Sequence, residues 1–433
     1  MNNDSMKIHV HHVTRIEGHG NIEVDIQNGE IRKVEWQVPE APRFFEAMVV
    51  ERDCDQVAPI TSRICGICSI GHTFASLKAT EAAMGIQITE QTRKLRELLL
   101  HGETLQSHIL HVCYLVVPDL CRVNSVVPLA FTHKDVVLLV TKLHRLANEL
   151  CDVIGGRTTH PIRAVINGFT MLPKPKELES LRKRLVESVE DLKTLAGFVK
   201  TIANGLPNFV RETEYISLAD QKDYAFYDGD IKSSDVKGNI PINDYRKVTN
   251  EYISPQSTAK WTKYNREAYF AGALARYNNN YKQLTPFSYA VGKDLGLDGV
   301  SYNPFMNNVA QVVEVVFAVE RSIQIIDDLL GNGMKEEDNS FKRRAGQGVG
   351  AVEVPRGILF HDYTYDEKGK CVKANCIIPT NQNHANIQLD MEKLVPEFKH
   401  EGKDELQFKL EMLVRAYDPC VSCSTHFMKV KFI

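Results

Sequence analysis

The sequence predicts a mainly α protein with peripheral β structure, an α+β chain built around a bundle of long helices. Three observations predict it. Over residues 175–202, Leu178, Leu181, Leu185, Val189, Leu192 and Val199 recur at helical spacing on one face. Residues 308–330 are apolar almost all round (Val312, Val313, Val315, Val316, Val319, Ile323, Ile326, Leu330), the pattern of a deeply buried helix. Extended, alternating stretches are confined to the two ends of the chain.

Taken in order, "KIHVHHV" and "NIEVDIQNGEIRKVEWQV" read as strands, with Asn28-Gly29 as a hairpin turn. A helix is expected from about Ile67 to Met84. Thr89 then caps a long helix carrying Leu95, Leu98, Leu99 and Leu105. Residues 215–258 are polar and rich in Asp, Tyr and Gly, with Pro241 and Pro255, and read as an irregular surface insertion. Gly331 is expected to terminate the buried helix. After Gly357 the chain turns extended, with a turn at "DEKGK" and a strand at "CVKANCIIP", before a last helix over 404–417. These elements predict one domain over 1–433: a β region at about 6–40, a helical core at about 67–330, strands and a cysteine knuckle at about 350–426, and a tail at 427–433.

The chain has 433 residues, 43% hydrophobic and 25% charged, as in ordinary globular proteins. A formal net charge of −3 gives no reason to expect nucleic acid or an anionic membrane as partner. No apolar run approaches the roughly 20 residues of a membrane span. The first residues carry no charged-then-apolar export pattern, so a cytoplasmic location is expected. That leaves the ten cysteines, at 54, 65, 68, 113, 121, 151, 371, 376, 420 and 423, expected as thiols. Those at 113, 121, 151, 371 and 376 lie in apolar runs and read as small buried hydrophobes.

The other four form two like pairs, "RICGICSIGH" (63–72) and "DPCVSCSTH" (418–426). Four thiolates from two knuckles suit zinc, an iron–sulfur cluster or another soft metal. The flanking residues discriminate. "RICGIC…H" with a terminal "DPCxxCxxH" resembles the large subunit of nickel–iron hydrogenases, and so do "VTRIEGHG" (13–20), "GGRTTHP" (155–161), "EVPRGILFHDY" (353–363) and "IIPTN" (377–381), in the same order. The shorter chain and "CSIGH" resemble the cytoplasmic, cofactor-linked branch of that family.

The resemblance implies that fold and a reversible conversion of dihydrogen to two protons and two electrons. It implies a Ni–Fe centre whose iron carries CO and CN ligands, with Cys65 and Cys420 as terminal nickel ligands and Cys68 and Cys423 bridging. Soft thiolates suit nickel, and thiolates at a metal are fully deprotonated. Cys420 would take the first proton and Glu17 would relay it; on residue type alone Glu17 reads as a capping or salt-bridging carboxylate beside Arg15. Arg356 would stand over the open metal position, held by Asp119, with Asp418 a further supporting carboxylate. Thr380 would donate to one cyanide, the Pro355–Arg356 segment would meet the other, and His72 would donate to a bridging sulfur. Ile67 would narrow the gas channel. Glu46, the carbonyl of Cys376 and His426 would hold a magnesium or iron ion.

A maturation protease would cut after His426, releasing "FMKVKFI"; metal-insertion proteins are implied too. No dinucleotide-binding or phosphate-binding glycine motif is present, and no cysteine set remains for a cluster. Electrons would therefore pass to an iron–sulfur small subunit, then through further flavin or iron–sulfur subunits to a soluble carrier such as NAD(P) or ferredoxin. The readings set against this are a non-catalytic or H2-sensing member of the same fold, and a zinc-stapled structural subunit.

Overall fold

The structure is a computed structural model and describes residues 5–426; the tail expected to be cleaved lies outside the described residues. Helices predominate, with small sheets at the periphery, as the helical periodicities predict. Strands Met6–Val10, Asn21–Gln27 and Glu30–Gln37 form an antiparallel sheet. Its turn has Asn28 at φ 52° and Gly29 at φ 79°, the left-handed pair a tight hairpin requires. Ile22, Val24 and Ile26 face inward.

The core helices are Ser69–Met84, Glu90–Ile109, Lys134–Gly155, Pro175–Ile202 and Asn307–Asn332. The Thr89 hydroxyl accepts from the Thr92 N–H, as its position before the leucine run predicts. Beyond Ile109 the helix continues through a π-helical stretch, Leu110–Val116, to Leu120. Two boundaries differ from expectation. The first helix starts at Ser69 because Cys68 turns out of helical geometry as its N-cap. The buried helix runs past Gly331 and ends at Gly333, φ 71°.

Residues 215–258 are not a surface insertion. Glu214–Ala219 is a fully buried strand, paired antiparallel to Asp230–Ser233 and parallel to Tyr269–Phe270. Ile216, Leu218, Ile231 and Val248 pack with Ala351, Ile358 and Phe360 in a second core. The strand is short and covered on both faces, so it shows no alternation, and the polar residues that dominate the composition sit in its connections. A helix over Pro379–Phe398, not expected from the sequence, carries Gln382, Asn383 and His384 fully buried. Their hydrogen bonds hold neighbouring strands, and the Trp36 indole donates to His384 (3.0 Å).

One contact places the two halves of the chain. Strand Gly346–Val354 lies along helix Ser69–Met84, and along its glycine half, residues 346–350, no strand side chain separates them. A Cβ at Gly346 would stand 2.3 Å from the Ala83 carbonyl oxygen, one at Gly348 2.2 Å from that of Ala79, and one at Gly350 2.1 Å from that of Ala75. Two residues of strand (about 6.7 Å) match four of helix (about 6 Å), so the glycine and alanine rows stay in step. Further along, a Cβ at Gly71 would meet Val354 at 2.0 Å. The strand therefore ends, at Val354, where the helix begins, at Cys68.

Gly350→Ala is expected to lower stability by about 3 kcal/mol, because the obstacle is backbone and cannot move aside. Gly331→Ala, in a helix with nothing within 4 Å, is expected to be neutral or stabilising by up to about 1 kcal/mol. Thermal denaturation of the two variants checks the contrast.

Candidate metal centre

The two cysteine knuckles, 355 residues apart in the chain, meet in the interior. Cys65 follows a 3-10 turn, Ser62–Ile64, and Cys68 caps the helix that follows. The Sγ of Cys65 accepts from the backbone N–H groups of Cys68 (2.9 Å) and Ile67 (3.3 Å), which folds the knuckle around its own sulfur. Cys65 and Cys420 have their Sγ atoms 3.7 Å apart, Cys65 and Cys68 2.6 Å, and Cys420 and Cys423 2.7 Å. All four are at most 2% exposed. Among described His, Cys, Asp and Glu side chains, the one trio whose donor atoms lie within 4.8 Å of one another is Cys65, Cys420 and Cys423.

Burial and the neighbouring sulfurs push the Cys420 thiol well up. Burial acts the same way on Cys65, but hydrogen bonds from Cys420, Cys423 and Cys68 outweigh it and pull this thiol well below its ordinary value.

The second knuckle is held by the N-terminal loop. Glu17 and Cys420 form a backbone bridge, with the Val421 N–H donating to the Glu17 carbonyl at 2.9 Å. The half-buried Glu17 carboxylate accepts from the Ser422 N–H (3.2 Å) and from the Ser422 hydroxyl. It does not pair with Arg15. Gly18 makes this approach feasible: its φ is 83°, and a Cβ there would lie 2.6 Å from the Ser422 nitrogen. Arg43 donates to the carbonyls of Ile64 (2.7 Å) and Ser422 (2.6 Å), tying one knuckle to the other.

Arg356 and Pro355 form the two-residue turn between strands Gly346–Val354 and Gly357–Tyr365. The guanidinium is buried and donates to Asp418 through its carbonyl (2.6 Å) and carboxylate (2.7 Å), and to the Ser107 hydroxyl (3.3 Å). Asp119, expected to hold Arg356, does not do so. Its carboxylate oxygens are filled by Arg15 and by Arg415 (2.6 and 3.1 Å).

Asp119 follows Pro118 in the helical turn Val117–Leu120, and from there it ties the Thr14–Arg15 loop to helix Lys403–Ala416. Asp418, expected as a further supporting carboxylate, is the one that holds Arg356. It follows helix Lys403–Ala416 in a left-handed turn, φ 50°, which aims its carboxylate inward.

The remaining expected residues fall as follows. The Thr380 hydroxyl oxygen accepts from the Cys420 N–H (3.0 Å). Nδ1 of His72 lies 3.1 Å from Nε2 of His361, and Nε2 of His72 is buried without a hydrogen-bond partner. Burial lowers the His72 pKa to about 4. Ile67 is half-buried against the core. Glu46 accepts from the Cys376 N–H (2.7 Å). Both ring nitrogens of the buried His426 lack hydrogen-bond partners among the described residues, and its Nε2 lies 3.7 Å from Glu251.

Sequence reasoning missed Ser107, Glu103, Gln311, Arg276, Glu314 and Glu251. Glu103 is fully buried and accepts from the Ile70 and Gly71 N–H groups at the start of the knuckle helix (2.7 and 3.0 Å). Burial, and then the nearby Cys65, push its pKa well up. A signal existed for three of them: Glu103 sits in a leucine-rich helix, and Gln311 and Glu314 in one that is otherwise apolar, where unpaired polar groups are costly. Ser107, Arg276 and Glu251 gave none.

A profile described as nickel-dependent hydrogenase matches residues 43–137 and 196–426, and a HoxL-like profile matches 7–41. The chain is 32% identical over 438 residues to the alpha chain of sulfhydrogenase 1 of Pyrococcus furiosus, covering 99% of this chain and 100% of that one. It is 31% identical over 452 residues to a chain of the F420-non-reducing hydrogenase of Methanothermobacter marburgensis, covering 97% and 95%. Its fold matches a NAD+-reducing [NiFe]-hydrogenase in the H2-reduced state with a TM-score of 0.88 at 24% identity, over 97% of this chain and 99% of that one. The chain belongs to the nickel-dependent hydrogenase family, as a catalytic large subunit.

The family implies a Ni–Fe centre, and the residues present fit it. Four buried sulfurs converge, and soft thiolate donors of this kind suit nickel and iron. The buried Nε2 of His72, without a hydrogen-bond partner among the described residues, is a polar atom that a group at this site would satisfy.

Asp418→Asn is expected to fold, keep nickel and lose turnover about tenfold or more, since it releases Arg356. Asp119→Asn is expected to cost about 3 kcal/mol of stability by leaving buried arginines unpaired, with turnover per nickel close to that of the unaltered enzyme. Melting temperature and activity per nickel distinguish the two, and the reverse pattern would return Arg356 to Asp119.

Proposed function

We propose that Cys65, Cys68, Cys420 and Cys423 hold nickel, with Cys68 and Cys423 shared with an iron carrying CO and CN, and that the chain converts dihydrogen reversibly to two protons and two electrons there. The observation that carries this reading is the convergence of the four sulfurs near a buried, permanently charged arginine. When bound, the metal pair supplies a Lewis acid that polarises dihydrogen and accepts its electrons.

The chain's own residues do the rest. Cys420 Sγ takes the first proton. Glu17, bridged to Cys420 through the backbone, receives it and passes it outward. Arg356 orients the incoming molecule from above. The Thr380 oxygen already accepts from Cys420, so its own proton is free to donate to a cyanide. Pro355 shapes the turn that meets the other cyanide, and His72 donates from Nε2 to a bridging sulfur. Ile67 narrows the gas route beside Cys65. Glu46, the Cys376 carbonyl and His426 hold a magnesium or iron ion, and the nearness of Glu251 to His426 adds a carboxylate to that neighbourhood.

Electrons leave to an iron–sulfur small subunit, because the other six cysteines are scattered, only Cys371 and Cys376 sharing an element. Further flavin or iron–sulfur subunits carry them to NAD(P) or ferredoxin; the short chain and its "CSIGH" segment, which resemble the cofactor-linked branch, support a soluble carrier. No helix among the described residues is long and apolar enough to cross a membrane, in keeping with the cytoplasmic reading. A maturation protease acting after His426 and metal-insertion proteins complete the proposed partners.

Metal analysis of the enzyme purified with its partners is expected to give one nickel per chain, and Cys420→Ser is expected to lose both nickel and activity. Zinc in place of nickel, or an active Cys420→Ser enzyme, sinks the assignment. Glu17→Gln is expected to keep its metals while slowing hydrogen–deuterium exchange by about a hundredfold or more, in the range of a lost general acid–base; exchange at the unaltered rate moves the relay elsewhere.

A further inference from the structure

Arg276 is fully buried on helix Ala273–Asn280. All five of its N–H donors are engaged. Nε and Nη2 bind the Glu314 carboxylate (2.7 Å each), and Nη1 binds Glu353 (2.8 Å). The two remaining donors reach backbone: Nη1 to the Val354 carbonyl (2.8 Å) and Nη2 to that of Pro355 (3.1 Å). These carbonyls belong to the two residues before Arg356. Glu314 also accepts from the Tyr224 hydroxyl and lies 2.7 Å from His108 Nε2. His108 follows Ser107, the hydroxyl that Arg356 reaches.

We infer that Arg276 is a positioning residue for hydrogen conversion: it clamps the Val354–Pro355 backbone so that the Arg356 turn stands at a fixed place over the cysteine cluster. Both supports of Arg356 on this side, its own backbone and Ser107, trace back to the Arg276–Glu314 pair. The same helix that carries Glu314 carries Gln311, which donates to Asp418 (3.1 Å), the other support. The Arg356 side chain anchors one side of the turn through Asp418 and Ser107, and the Val354 and Pro355 carbonyls are the handles by which its backbone is held from the other. Only a planar fork of five donors can bind two carboxylates and two carbonyls at once. The charges balance as required: Arg276 and His108 outweigh the effect of burial on Glu314 and hold its pKa at about 2, whereas burial pushes Glu353 up to about 7 against the pull of Arg276.

This inference rests on the proposed place of Arg356 in the site, and the test separates the two. Arg276→Lys keeps the charge and loses the fork. In the complete enzyme it is expected to retain nickel, to lose about 10- to 100-fold in kcat, the scale of a misplacement of about 1 Å, with KM for dihydrogen little changed, and to displace the infrared CO and CN bands. In the metal-free full chain, amide exchange at Val354 and Arg356 is expected to accelerate. Nickel-replete Arg276→Lys enzyme with unaltered turnover and bands overturns the clamp. If that variant takes up no nickel, the neutral pair Arg276→Gln with Glu314→Gln is measured in the same ways; a second nickel-free protein makes the role purely structural and overturns the inference. Arg356→Lys is the control: full activity there overturns the site reading itself, while its loss beside an unaffected Arg276→Lys overturns the clamp alone.

Discussion

The structure depends on a backbone contact between one helix and one strand. Three glycines at every second position of the strand face three alanines at every fourth position of the helix. Because no side chain separates them, the distance between the two elements is set by van der Waals contact of main chains, the stiffest spacing a protein has. The helix begins at the first cysteine knuckle and the strand ends at the Arg356 turn. Their relative place is therefore fixed before any polar interaction acts.

The polar interactions refine that arrangement. Arg356, Arg276 and Arg415 are all buried, and each is met by carboxylates: Asp418, Glu314 with Glu353, and Asp119 respectively. Buried ion pairs are weak sources of stability but strong directional constraints, because displacing either partner strands a charge in low dielectric. Three such pairs around one cysteine cluster hold the segments that reach it: the Arg356 turn, the helix preceding the second knuckle, and the loop bearing Glu17.

Much of the site was legible as local pattern. The paired cysteines, Arg356 after Pro355, Thr380 and Glu17 stand in short recognisable blocks, and the structure brings these residues to the two knuckles. What failed were the assignments of one buried partner to another. Asp119 and Asp418 are both carboxylates near arginines; which pairs with which depends on side-chain direction after the chain has folded. The buried strand Glu214–Ala219 was missed because it is covered on both faces and surrounded by polar connections.

The sequence by itself determined the helical class, through apolar periodicity; the hairpin, through Asn28-Gly29; and the donor chemistry, through four soft thiols in two knuckles. Tertiary structure alone decided that the knuckles meet, that Asp418 rather than Asp119 holds Arg356, and that Arg276 lies behind the turn. The physical reason is range. Periodicity and turn geometry are set by neighbours a few residues apart, whereas these ion pairs are set by the packed positions of segments 38 to 296 residues apart, which no local stretch encodes.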